Sequence, residues 1–355
     1  MAPLDWGLGH ATRMVPVIEY LQIRGFDVIV AASGSGVSVI RQAIPAVSII
    51  EIPGYNITYS KNRRWLILKL LLQLPRVLLT SYREHAWLNN IVKREGIQLI
   101  ISDNRPALYH KQIPAVYVTH QLSIQSEFKW LSNILNAFHW RTIKKFTHCW
   151  VPDFSSEQAL AGKLSSIKDP SFNIRYIGPL SRLKKLATPI FTKYELLVLL
   201  SGPEPQRTIL ESLLIKQLQK FHQPVLFVRG LFVQNPPPIE NTNTQIQITN
   251  ALSGKELSIA MQSVAMVVAR AGYTTIMDLV KLQKKAILIP TPGQTEQEYL
   301  AAHLMRKGMF YSTQQDVFDL EKSLVAANHF SYNIPSLDLT NFEKELDDFF
   351  QNLSK

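Results

Sequence analysis

Residues 6–13 read W-G-L-G-H-A-T-R. Gly7 and Gly9 bracket Leu8, His10 follows at once, and Arg13 comes three residues later. Two glycines let a backbone turn tightly and keep the space above it empty. A histidine opening the next helix would point into that space, and a neutral imidazole works as a general base near pH 7. The plainer alternative is a histidine that only hydrogen-bonds a helix start. A dinucleotide fingerprint, G-x-G-x-x-G, fails here because Thr12 holds its third position, and only Met1 to Asp5 precede Trp6 to form the strand it needs. Pro16 predicts a kink in the helix or a late start.

A second place suited to chemistry is V-V-A-R-A-G-Y-T-T-I-M-D-L-V, residues 267–280. It reads as a strand, a glycine turn and a helix. Gly272 would let the main chain approach a ligand, and the helix start offers free N–H groups and a positive dipole end for a phosphate. Thr274 and Thr275 add hydroxyls or cap the helix. Arg270 adds a cation to the ligand or a salt bridge beneath the turn. Asp278 lies eight residues on, about two turns into the helix at ~1.5 Å per residue, within reach of a ribose; its alternative is a solvated carboxylate. Residues 289–302, I-P-T-P-G-Q-T-E-Q-E-Y-L-A-A, follow a buried strand with Gln294, Glu296, Gln297 and Glu298 clustered after a turn. Amides and carboxylates suit sugar hydroxyls, while glutamates also favour any helix N-terminus.

These loops need a frame, and the chain supplies an α/β one. Short β-branched runs alternate with helical periodicity. Strands are predicted at 27–31, 47–52, 98–101, 115–118 and 148–151. A second series covers 175–177, 195–200, 225–228, 245–248, 266–269 and 286–289. Several are apolar on both faces, as parallel strands between helices must be. Many end in polar or glycine loops: Asp103-Asn104-Arg105, Thr119-His120-Gln121, Ser201-Gly202, Arg270-Ala271-Gly272 and Pro290 to Gly293. Open parallel sheets bind ligands beyond the carboxyl ends of their strands. Gly178, Pro179 and Pro189 mark a boundary, which divides the chain into 1–178, a linker at 179–194, a second domain at 195–335 and a terminal helix at 336–355, free to pack back on the first domain.

The 355 residues support two cores, with 46% apolar and 18% charged side chains. A net charge of +11 favours an anionic partner. No RNA-binding or zinc-finger spacing occurs, which ranks nucleic acid below phosphorylated ligands and acidic lipid. One cysteine, Cys149, makes no internal disulfide and no cysteine metal site, and reads as a small core residue. No signal peptide is visible, and the apolar run at 65–75 is shorter than the ~20 residues that span a bilayer. The expected location is the cytoplasm, with an option on the inner membrane face. Residues 61–76 combine five bases with Trp65 and many leucines, and residues 128–146 repeat aromatics and aliphatics every three or four positions. Both suit an anionic membrane interface, or else pack on the sheet.

Gly7-Leu8-Gly9-His10, then Arg270-Ala271-Gly272 with an acid at Asp278, then Pro290 leading to Gln297-Glu298, resemble in order and spacing the GT-B glycosyltransferases. The nearest pattern is that of glycosyltransferase family 28 C-terminal domain proteins and the peptidoglycan N-acetylglucosaminyltransferase acting on lipid-linked substrate. The loop S-G-P-E-P-Q-R at 201–207 resembles the one that closes on a nucleotide diphosphate. The resemblance spans nearly the whole chain. It implies two Rossmann-like parallel-sheet domains facing each other across a cleft, and an inverting sugar transfer from a nucleotide diphosphate sugar, UDP-linked, to a hydroxyl acceptor, with no metal and no cofactor. His10, helped by Asp103, would deprotonate the acceptor, although Asp103 as base and His10 as binder inverts those roles. Gly9, Ser201, Gly202, Arg270, Gly272, Thr274, Thr275, Asp278, Gln294, Gln297 and Glu298 would hold the donor, and Asn104, Arg105 and His120 the acceptor. A lipid-linked acceptor would account for the basic amphipathic segments. Aspartate at 278, Glu298 and Ala301 depart from the family pattern and leave the sugar open. The alternatives are a nucleotide-sugar hydrolase of the same fold and a non-catalytic nucleotide-sugar-binding protein.

Overall fold

The computed structural model describes residues 1–55, 57, 66–126, 129–167, 173–187, 191–233, 235–337 and 341–353. The first half runs β1 (Ala2–Pro3), α1 (Leu8–Ile23), β2 (Ile29–Ala32), α2 (Ser35–Ala43), β3 (Ser48–Glu51), α3 (Leu66–Glu95), β4 (Ile100–Asp103), β5 (Ala115–Val118), α4 (Lys129–Ile143), β6 (His148–Val151) and β7 (Ile174–Tyr176). Strands pair in the order β1-β4-β5-β6-β7, all parallel, and β2 with β3. The Ala31 amide donates to the Met1 carbonyl (2.7 Å), which sets the β2-β3 pair beside β1. The second half runs β8 (Tyr194–Leu199), α5 (Gln206–Leu218), β9 (Val225–Val228), β10 (Ile246–Thr249), α6 (Gly254–Gln262), β11 (Val264–Ala269), α7 (Tyr273–Lys281), β12 (Ala286–Leu288), α8 (Thr295–Arg306), β13 (Tyr311–Ser312), α9 (Leu320–His329) and α10 (Asn341–Leu353). Its parallel sheet is ordered β10-β9-β8-β11-β12-β13.

The sequence explains both sheets. Every residue of A-V-Y-V in β5 and V-L-F-V in β9 is buried, because helices cover both faces. Each sheet therefore carries two apolar layers. In the first half, Met14, Ile18, Val116 and Trp150 fill one layer, and Tyr117, Leu122 and Cys149 the other. Burial pushes the Cys149 thiol up to about 12, so it is an inert core group, as expected. The strand expected at 175–177 with the second series instead closes the first sheet as β7, paired with β6. The two-residue β13 was not predicted; a run that short carries no periodicity. Helix α1 continues through Pro16 from a start at Leu8, so the late start that was one expectation does not occur.

Two long connections tie the halves together. Residues 179–187 bridge the halves: Leu180 is buried in the first-half core and Leu183 in that of the second, and the Leu186 amide donates to Gln262 Oε1 (3.0 Å). At the far end, α10 returns to the first half. Phe342, Leu346 and Phe349 enter its core, with Phe349 edge-on to Trp150 at 5.0 Å. Asp347 of α10 accepts from Tyr20 Oη (2.6 Å) and pairs with Arg24. The amphipathic segments divide between core and surface, with Ile143 and Phe146 buried against the first sheet. In α4, Trp130, Ile134 and Phe138 all face outward, and in α3 so do Leu72, Leu78, Leu79 and Tyr82. Residues 61–65 and 127–128 lie outside the described residues.

Truncating a buried aromatic leaves a cavity that costs about 3–5 kcal/mol. Phe349→Ala is expected to lower unfolding stability by about 3 kcal/mol, read as a reduced urea midpoint. An unchanged midpoint would mean that α10 does not anchor the two halves.

Candidate functional site

Strand β1 needs only two residues because it is pinned centrally: Pro3 pairs with Asp103, and the Leu4 amide donates to the Asp103 carbonyl (3.0 Å). The chain then turns at Gly7, whose φ of +101° suits glycine and where a β-carbon would meet no other atom within 4 Å. Gly7 caps α1 with no side-chain hydrogen bond, and the first turn holds no acid. His10 therefore sits in an open first turn. Its Nδ1 lies 3.1 Å from Asp103 Oδ1.

Asp103 is fully buried at the carboxyl end of β4. Arg13, one turn past His10, grips it through Nε (2.8 Å to Oδ2) and through Nη2 to Oδ1. Burial pushes the Asp103 carboxyl up, but Arg13 and His10 outweigh it and hold the group down at about 2. Burial lowers the His10 pKa below its usual 6.5, with the Arg13 charge adding to that, while Asp103 pulls the other way. The imidazole is therefore neutral at pH 7. With Nδ1–H donating to Asp103, Nε2 is left as an acceptor, which is the form a general base needs.

The second half closes on this turn. Thr274 Oγ1 donates to the Gly9 carbonyl (3.2 Å), and a β-carbon at Gly9 would come 2.9 Å from that oxygen. Gly9 is thus required by the close approach of α7. Helix α7 begins at Gly272 without a side-chain cap and without acid in its first turn. A β-carbon at Gly272 would meet only Thr275 Oγ1, at 3.9 Å, so no protein atom crowds that glycine. His120, after β5, stacks on Tyr273 (4.2 Å between centroids, 4° between planes) and its Nε2 lies 2.7 Å from Glu296 Oε1 in α8. Tyr273 Oη donates to the Pro152 carbonyl (2.8 Å), and Thr295 Oγ1 to that of Gln125 (3.0 Å). His10, Asp103, Gly9, Thr274 and His120 are brought together, and the structure adds Arg13, Tyr273 and Glu296. Arg13 had one sequence signal, its three-residue spacing from His10 on one helix face. Tyr273 and Glu296 had none for their partners, which lie in the other half.

The donor-side residues divide. Ser201 and Gly202 follow β8 in a loop that is part exposed, with Gly202 at φ +104° and open space around it. Arg270 is tied into the protein itself. It is buried, its Nη atoms donate to the carbonyls of Ile289 and Pro290, to that of Gln206 (2.8 Å) and to Gln315 Oε1 (2.6 Å), and burial lowers it to about 10. It braces three loops from beneath, and the salt-bridge alternative fails because no carboxylate pairs with it among the described residues. Asp278 is likewise turned into the fold. It is buried against the connection, accepts from Ser181 Oγ (2.5 Å), and burial raises it to about 6. Gln297 Oε1 accepts from the Thr291 amide, Gln297 Nε2 donates to Gln294, and Glu298 accepts from the Gly293 amide, all at 2.6–2.9 Å. These three shape the loop rather than project from it. A loop carrying several free amides folds its own side chains back to satisfy them.

On the acceptor side, Asn104 takes a left-handed conformation (φ 55°) just past Asp103. Arg105 is removed from the cleft altogether. Its Nε donates to the Pro3 carbonyl (2.8 Å), and Nη1 pairs with Glu84 of α3, which is likewise buried. A buried guanidinium needs a carboxylate, and α3 supplies it. Arg105→Ala would leave Glu84 buried without a counter-ion. A loss of about 3–5 kcal/mol in unfolding free energy is expected, read by chemical denaturation. A fully stable variant with weakened acceptor binding would return Arg105 to the cleft.

Residues 207–346 match the profile of the glycosyltransferase family 28 C-terminal domain. No curated protein sequence matches the chain. Solved structures align over nearly its full length at low identity. The glycotransferase of kitacinnamycin is 12% identical, covering 100% of this chain and 94% of its own, with a TM-score of 0.63. The spinosyn rhamnosyltransferase SpnG complexed with thymidine diphosphate is 13% identical, covering 99% and 95%, with a TM-score of 0.58. MurG of Acinetobacter baumannii is 13% identical, covering 99% and 98%, with a TM-score of 0.50. The two parallel-sheet halves are thus those of the GT-B glycosyltransferase fold, and the chain carries a glycosyltransferase family 28 C-terminal domain in its second half.

Proposed function

We propose that this glycosyltransferase moves a sugar from a UDP-linked donor to a hydroxyl acceptor by single inverting displacement, without a metal. The observation that carries the reading is the 3.2 Å bond from Thr274 to Gly9, which sets the uncapped start of α7 and the first turn of α1 in one crevice. Helix starts with free N–H groups and no nearby acid favour anions. In this reading His10 Nε2 takes the acceptor proton, the acceptor oxygen attacks the anomeric carbon, and the bond to the diphosphate breaks on the opposite side. The charge developing on the diphosphate meets the α7 N–H groups, with Gly272 giving them access and Thr275 a hydroxyl. Ser201 and Gly202 close over the diphosphate from β8. The thymidine diphosphate named for SpnG supports a nucleoside diphosphate ligand in this fold.

We also read the acceptor as lipid-linked and the enzyme as resting on the inner face of a membrane. No helix among the described residues is long and apolar enough to cross one. The support is the outward row Trp130, Ile134 and Phe138, together with Leu72, Leu78 and Tyr82, in a chain of charge +11.

His10→Ala is expected to lower kcat by about 10²–10⁴-fold while nucleotide affinity holds. In the native enzyme the rate should rise with pH through an inflection below 6.5, since only the deprotonated imidazole accepts a proton and its pKa is lowered. Turnover that survives His10→Ala would remove the base. Labelled donor released as free sugar at full rate without acceptor would make the enzyme a hydrolase. Trp130→Ala with Phe138→Ala should weaken cosedimentation with vesicles containing anionic phospholipid; equal sedimentation would remove the membrane face.

A further inference from the structure

The seam between the halves holds a cavity that the transfer chemistry does not use. Its volume is about 360 Å³, and it is lined by Gln125 and Lys163 of the first half and by Tyr299, His303, Arg306 and Lys307 at the α8 side. Small-molecule sites begin near ~300 Å³. Glu296, which meets His120 in the cleft, lies seven residues before His303. The cavity is therefore roughly 10 Å further along α8, at ~1.5 Å per residue.

Close packing fixes its walls. Gly162 has a φ of +53°, and a β-carbon there would come 2.6 Å from His303 Nε2 and 2.8 Å from Tyr299 Oη. The Lys163 amide donates to Tyr299 Oη (2.9 Å), and the Tyr299 and His303 rings stack at 5.5 Å. The backbone of the first half thus carries the Lys163 side chain to α8.

Three cations line this one space. Among the described residues, no carboxylate lies within ion-pair distance of Lys163, Arg306 or Lys307. Arg306 Nε donates to the Ala302 carbonyl of its own helix (3.2 Å), and Lys307 Nζ to the carbonyls of Glu157 (2.5 Å) and Ala159 (3.3 Å). Glu157 itself lines a larger adjoining cavity of about 610 Å³, which shares Lys163, His303 and Lys307. The negative end of the α8 dipole accounts for cations at its close. It does not account for Lys163, which arrives from the other half. Like charges brought together repel unless an anion joins them. His303 registers that field: burial lowers its pKa, Lys307 and Arg306 add to the effect, and the Ala159 carbonyl opposes it.

We propose that this cavity is a second anion site, separate from the cleft, which takes a phosphate or diphosphate group. Two ammonium groups and a guanidinium fork match tetrahedral phosphate oxygens. The Tyr299 hydroxyl and the Gln125 amide add neutral donors. Gln125 marks the α4 end of the cavity: on either side of it, the amides of Ile124 and Ser126 donate to Asn136 (2.7 Å) and Ser132 (2.9 Å) of that helix. The outward Trp130 is two residues from Ser132. A phosphate carried on a lipid and one free in solution offer the site the same chemistry. The site stands independently of the transfer reading, since it uses none of the residues assigned to that reaction.

The test compares the full native chain with Lys163→Ala/Arg306→Ala and with a charge-matched control, Lys216→Ala/Lys255→Ala. All four side chains are exposed, so no core is opened. Inorganic pyrophosphate binding is measured by calorimetry, and binding to phosphatidylcholine vesicles containing phosphatidic acid by cosedimentation. Pyrophosphate affinity is expected to fall about tenfold or more in the cavity variant and to hold in the control. Loss confined to the pyrophosphate arm identifies a free phosphate ligand, and loss that extends to the vesicles, or is confined to them, identifies a lipid headgroup. The two double variants behaving alike in both arms would overturn the proposal.

Discussion

A carboxylate buried at the carboxyl end of β4 is the constraint around which the cleft is organised. Asp103 is sealed from water, and an isolated buried charge is too costly to keep. It stays ionised because Arg13 satisfies both its oxygens from the neighbouring helix. That grip fixes the rotation of α1 over the sheet, and with it the position of His10 one turn earlier. The glycine turn, the short central β1 and the left-handed Asn104 all serve the same approach, since each brings backbone within bonding distance of this one side chain or its peptide.

The second half uses the opposite solution. Arg270 is a buried cation with no carboxylate partner among the described residues, held by carbonyls and one amide. Its charge lies beneath the loops after β8, β11 and β12 and is not cancelled locally. Carbonyls from the stretches after β8 and β12 and the Gln315 side chain after β13 converge on it, so those segments cannot move independently. Acidic residues are kept out of the first turns of both α1 and α7. The second-half wall therefore combines the buried Arg270 and the acid-free start of α7 with Glu296 of α8, and the other wall carries the compensated Asp103. That arrangement would receive a departing diphosphate on one side and a proton on the other.

Charge pairs elsewhere are structural in the same sense. Arg105 with Glu84, and Glu211 with both Arg207 and Arg229, lie under loops that the sequence placed at strand ends. The linker and α10 then cross between halves in opposite directions, one packed on α6 and α7, the other on Trp150. Each half is buried partly by residues whose neighbours in sequence belong to the other.

The α/β frame, most strands and the glycine-histidine turn were legible because they are local properties. A doubly covered strand must be apolar along its length, and a turn with φ near +100° must be glycine. His10, Gly9 and Thr274 could be picked out for that reason. What the sequence did not decide is which polar side chains face the cleft and which face inward. Arg270, Arg105, Asp278, Gln297 and Glu298 have the types a ligand site needs, yet each is used by a neighbouring backbone or counter-ion that only the packed chain brings near. Glu296 and Tyr273 show the reverse, meeting His120 from about 150 residues or more away in sequence. Hydrogen-bond capacity is written in the residue type; which partner satisfies it is set by three-dimensional proximity, and that distinction separates the two lists.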